Sequence, residues 1–131
     1  MAPFLQLSEG LVNNGYIVLK YDKRNYTMMK NKQDTSNVMP LDFIKDAQAA
    51  IKYLKTIPEV DSDKIIVIGH SEGGSFLPHI VKGEKVSAAV ALSPGLIEIT
   101  DLMVYQIDYQ INYLKKFNVD NSQNATIALL E

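Results

Sequence analysis

A chain of 131 residues with 47% hydrophobic content is expected to make one domain at most and to bury a core, and its composition is not that of a disordered segment. Thirteen basic residues against fifteen acidic leave a formal charge of −2, with neither a basic block suited to nucleic acid nor an acidic tail. The absence of cysteine rules out disulfides, thiolate metal sites and cysteine nucleophiles, and no apolar run approaches the roughly 18 residues that span a bilayer. Met1-Ala2-Pro3-Phe4 lacks the charged-then-apolar layout of a secretion signal, so the expected location is cytoplasmic.

Pro3 to Asn14 reads as a helix, with proline at its first position, Gly15 at its stop, and Phe4, Leu7, Leu11 and Val12 on one face. Tyr16 to Tyr21 (YIVLKY) has the β-branched and aromatic content of a strand. Asp22 to Pro40 is polar and reads as a long loop. Leu41 to Thr56 is the clearest helix, because Phe43, Ile44, Ala47, Ala50, Ile51 and Leu54 recur at helical spacing. Pro58 and Asp61-Ser62-Asp63 end it. Lys64 to Gly69 is a continuously apolar strand, as expected of a parallel strand covered on both faces. Glu72 to Val81 is a helix bent near Pro78, and Val86 to Leu92 is a third strand closed by Ser93-Pro94-Gly95. Asp101 to Phe117 is a second strong helix, with Met103, Ile107, Ile111 and Leu114 on one stripe and Tyr105, Tyr109, Tyr113 and Phe117 on another. Residues 118–131 begin as a polar linker and end in a run able to start a further helix.

Strand and helix alternate three times. The fold class is therefore α/β: three layers, with a short parallel sheet of about three strands flanked by helices. In such sheets the site lies at the carboxyl ends of the strands. Gly69-His70-Ser71-Glu72-Gly73-Gly74 sits at one of those ends, between a β-branched run and helix-forming sequence. Gly-x-Ser-x-Gly in that setting is the form of a nucleophile elbow, which lifts a serine hydroxyl above the sheet. Ser71 is the candidate nucleophile. Gly69 and Gly73 are expected where a Cβ would collide with the neighbouring strand or helix. The backbone N–H of Glu72 is the candidate oxyanion donor at the helix N-terminus.

With these pieces in place, residues 3 to 117 resemble the central part of an α/β-hydrolase, closest to the serine-aminopeptidase-like or dipeptidyl-peptidase-like hydrolases also described as bacterial esterases. Gly15 to Arg24 resembles their fourth strand and the YDKRG turn, with Asn25 where glycine is usual. Asp46 to Leu54 resembles the helix before the elbow, GHSEGG is a form of the elbow itself, and Ser93-Pro94-Gly95 resembles the turn after the sixth strand. The resemblance implies a partial hydrolase core over 1–97 and the start of a helical lid or cap over 98–131. It also implies that the first three strands precede residue 3, and that the catalytic acid and histidine follow the lid. A strand is thus missing between YIVLKY and KIIVIG. The two segments could close up, pair with a second copy, or take strands from another chain or a longer parent.

Ser71 needs a base, and the base needs an orienting acid. His70 is expected to be structural, pointing back towards the sheet, and His79 to pack or face solvent two turns behind Ser71. The Glu72 carboxylate is expected to be solvated, Asp22, Lys23 and Arg24 to pair within their own turn, and Asp46 to be a solvated or capping charge. Glu98 and Asp101 are discounted as triad acids. The expected function is serine hydrolysis of a carboxylic ester, thioester or small amide through Ser71, incomplete in this chain. The alternative is an inactive, truncated hydrolase segment acting as a self-associating α/β module. Neither a metal nor a cofactor is called for, and no nucleic acid or membrane. Besides the small-molecule ester or amide, the expected partner is a second copy, met through exposed strand edges or the Tyr105, Tyr109 and Tyr113 stripe.

Overall fold

The computed structural model of the protein describes residues 3–117 and 123–130. In chain order the elements are α1 (Pro3–Asn13), α2 (Arg24–Lys30), α3 (Pro40–Leu54), β1 (Ile66–His70), α4 (Glu72–Val81), β2 (Ala88–Leu92), α5 (Ile99–Phe117) and α6 (Asn124–Leu130). The polar linker expected after Phe117 lies largely outside the described residues.

The strands form one parallel pair, in register from Ile66 opposite Ala88 to His70 opposite Leu92. Joined through α4, they make a βαβ unit, and the chain has the expected α/β class. Burial along β1 alternates. Val67 and Gly69 are half-buried towards α4, whereas Ile66, Ile68 and His70 are exposed on the other side. The expectation of a strand covered on both faces is corrected: only the α4 face is covered. The core lies there, where Ile51 of α3, Ile65, and Leu77 and Ile80 of α4 are buried; Ile127 of α6, a helix that packs with α5, is buried as well.

Local chemistry explains the helix ends. Gly15 takes φ +84°, and the Tyr16 N–H returns to the Leu11 carbonyl at 3.1 Å, closing α1 in the manner of a glycine C-cap. At the start of α3, Pro40 supplies a preset φ and the Asp42 carboxylate accepts the Met39 N–H at 3.0 Å. Pro78 interrupts the ladder of α4. Gln48 of α3 then donates to the His79 and Ile80 carbonyls at 3.2 and 3.3 Å, filling part of the deficit at the helix end.

Two expected elements differ. Tyr16 to Tyr21 forms no strand, so the sheet has two strands rather than three. The segment has strand composition but no backbone to pair with, and β propensity acts only through such neighbours. The two segments have not closed up. Between them lies a groove of about 640 Å³, lined among others by Phe4, Leu11, Ile17, Leu19, Ile66 and Ile68. The second difference is α2, which occupies part of the expected Asp22–Pro40 loop. This helix has seven residues and no strong apolar stripe. Its support is tertiary: Arg24 is held bidentately by Asp46 of α3, at 2.7 Å from Nε and 2.5 Å from an Nη. No helix among the described residues is long and apolar enough to cross a membrane.

Candidate active site

β1 delivers the chain to Ser71, and α4 departs from it. Ser71 holds φ +53° and ψ −120°, a left-handed conformation that a residue bearing a Cβ adopts only under constraint. The constraint is visible on both sides. The Ser71 N–H donates to the Leu92 carbonyl at 2.9 Å, one step beyond the β1–β2 ladder, and the Ser71 carbonyl accepts the Ser75 N–H at 3.0 Å. Strand pairing fixes the residue from below and the first helical turn fixes it from above.

Close approach of strand and helix explains the glycines only in part. A Cβ on Gly69 would meet the Gly73 carbonyl carbon at 2.6 Å, which no backbone tolerates. At Gly73 an added Cβ meets nothing within 4 Å, so the expectation of a collision there is corrected. The second crowded position is Gly74, whose Cβ would lie 3.1 Å from the Gly69 carbonyl oxygen and 3.2 Å from Pro94 Cβ. It is Gly73's backbone, not a site on its own α-carbon, that crowds Gly69.

The turn after β2 is pinned beside this elbow. Ser93 takes φ +48°. The Gly95 N–H donates to Ser75 Oγ at 2.9 Å, and Ser75 Oγ donates to the Gly95 carbonyl at 3.0 Å. One hydroxyl thus ties the start of α4 to the loop after β2.

Glu72 opens α4, where a carboxylate suits the positive end of the helix. It is not simply solvated, because Lys23 Nζ donates to its Oε2. The Lys23 ammonium also lies 5.1 Å from the centroid of the Phe43 ring. Next to it, Arg24 pairs with Asp42 at 3.3 Å and with Asp46. The 22–24 turn therefore reaches across to α3 and α4 instead of pairing within itself, and Asp46 is a bonded partner rather than a free charge. Arg24 holds the Asp46 carboxyl below its ordinary range, chiefly through their hydrogen bonds. Sequence reasoning missed these links because 49 and 22 residues separate the partners and no spacing rule connects them.

The histidines do not join Ser71. His70, at the end of β1, turns to the groove, where its ring meets Phe4 edge-on at 5.5 Å between centroids. This corrects the expectation of a side chain packed back against the sheet. His79 is exposed on α4 and contributes its carbonyl to Gln48. Among the described residues no side chain hydrogen-bonds the Ser71 hydroxyl, and no cluster of three or more His, Asp or Glu residues is arranged to hold a metal. The tyrosine stripe of α5 is exposed, with Tyr109 and Tyr113 stacked at 6.4 Å and Tyr113 against Phe117 at 4.7 Å.

The sequence of the Dienelactone hydrolase family matches residues 2–123 of the chain. Over 128 residues the chain is 29% identical to Esterase EstD of Thermotoga maritima, an overlap that takes in 98% of this chain and 29% of that protein. The chain thus spans less than a third of the length of this relative. No solved structure matches it. Given a match over nearly its whole length, together with a parallel βαβ unit built around Gly-x-Ser-x-Gly, the chain belongs to the dienelactone hydrolase family, within the α/β-hydrolase superfamily.

Proposed function

We propose that this chain carries the nucleophile of a serine hydrolase acting on a carboxylic ester, thioester or small amide. The observation that supports it most is the conformation of Ser71, which is held at φ +53° between a parallel strand and a helix N-terminus. In this reading Ser71 Oγ attacks the carbonyl carbon while its proton passes to a base. The carbonyl oxygen becomes an oxyanion, and the Glu72 backbone N–H donates to it. Collapse breaks the bond to the leaving alcohol, thiol or amine, which takes the proton, and water then hydrolyses the acyl-serine. Neither His70 nor His79 bonds Ser71, so the base and its acid lie outside the described residues in this reading. Residues 1–97 are the partial core and residues 98–131 the start of a lid. The expected setting is the cytoplasm and the substrate a small ester, in keeping with an esterase among the relatives.

A second reading, an inactive and self-associating α/β module, is favoured by one observation: among the described residues no base bonds the Ser71 hydroxyl. Fluorophosphonate labelling decides between them. Modification of Ser71, located by mass spectrometry and absent from Ser71→Ala, supports the hydrolase. A folded protein left unlabelled, both as this chain and within any longer polypeptide containing it, overturns that reading. Light scattering over a range of concentrations tests self-association.

A further inference from the structure

Glu72 poses an electrostatic problem for the chemistry assigned to its neighbour. A carboxylate one residue after Ser71 favours the start of α4, yet it opposes the growth of a second negative charge where a serine adduct forms. Among the described residues one cation pairs with it, Lys23. The placement of Lys23 is not left to its own flexible stem. Arg24 is gripped by Asp46 and Asp42 of α3, and the backbone at residue 23 is fixed with it. Phe43 lies beneath the ammonium. Both members of the pair are about half exposed, at 51% and 42% of their side chains. A pair so exposed adds little to folding stability, and its position beside the elbow calls for another reason.

We propose that Lys23 is a charge-compensating positioning residue for Ser71: its ammonium cancels the Glu72 carboxylate beside the place where the oxyanion forms and holds the first turn of α4 in line. This rests on the reading of Ser71 as the nucleophile.

Phenylboronic acid provides a test that needs no turnover. The Ser71 hydroxyl adds to boron, an O–B bond forms, the hydroxyl proton leaves to solvent, and the tetrahedral boron carries the negative charge. Adduct affinity, followed by boron NMR, then reports the cost of an anion at this position. Lys23→Met is expected to weaken the adduct by about tenfold, the effect of losing one neighbouring opposite charge. Lys23→Arg keeps the affinity. Lys23→Met combined with Glu72→Gln restores it to within about twofold, and Glu72→Gln alone binds no worse than the unsubstituted protein. A merely structural role for Lys23 would not be rescued by neutralising Glu72. Circular dichroism melts confirm that each variant folds. If Lys23→Met fails to fold, the Lys23→Met/Glu72→Gln protein and Glu72→Gln must still bind alike. An adduct indifferent to residue 23, or a double variant as weak as Lys23→Met, overturns this inference alone. Absence of any adduct in the unsubstituted protein, both as this chain and within any longer polypeptide containing it, overturns the Ser71 reading and this inference with it.

Discussion

Arg24 and Asp46 join the turn before α2 to α3 through a two-pronged contact that a carboxylate makes and a protonated carboxyl cannot. Asp46 is held below its ordinary value of 3.8, first by the Arg24 hydrogen bonds and also by the nearby guanidinium charge, with burial opposing. The folded-state value is the lower one. The pair therefore stabilises the folded chain fully above the unfolded value, and that contribution is lost as pH falls through the depressed one. Asp46→Asn is expected to lower the melting temperature at pH 6 and to flatten its fall as pH drops below the ordinary carboxylate range. Asp34 and Asp61 are held low by Ser36 and by Lys64, so part of the acid sensitivity survives the substitution. Melting curves across that range provide the check, and an unchanged acid slope in Asp46→Asn would refute the assignment. Residues such as Ser71 were legible in the sequence because a local motif announces them. Lys23, Arg24 and Asp46 were not, because their roles arise from contacts between distant elements.

At the scale of elements, β1 and α4 meet closely. The strand passes so close beneath the helix that Gly69 has no room for a methyl group, while Gly73 is open. Gly69→Ala is expected to cost about 1–3 kcal/mol, since either strand or helix must shift. Gly73→Ala, in the first turn of a helix, is expected to fall within about 0.5 kcal/mol of the parent and to favour the helix slightly. Urea titration of the two variants checks the contrast, and equal losses would refute it. The helices α1, α3, α4 and α5 were legible from apolar spacing and from Pro and Gly punctuation. So was the β1–α4 junction. The strand expected at Tyr16–Tyr21 was misjudged because its composition describes a segment able to pair, and no neighbouring backbone is there to pair with it. Helix α2 was overlooked for the converse reason. Its own sequence is weak, and ion pairs from another element hold it.

Across the whole molecule, apolar surface is only partly withdrawn from water. The accessible surface is 10,048 Å², against roughly 6,900 Å² for a compact monomer of this mass. No side chain among the described residues is wholly enclosed, and β2 is exposed along its length. The groove beside β1 leaves the Ile66, Ile68 and His70 face of the sheet open. The whole of this excess surface, the groove included, has a thermodynamic consequence. Heat capacity rises on unfolding because apolar groups become hydrated, and groups lining an open groove are hydrated already. A domain of this length ordinarily shows an increment of about 1.6–2 kcal/mol/K. This chain is expected to fall well short of that in scanning calorimetry, with a correspondingly shallow urea dependence. A full-sized increment would mean that much of this excess surface is covered in solution. The same feature flattens the curve of stability against temperature, so the folded state would hold a nearly constant, modest margin on cooling instead of rising to a pronounced maximum.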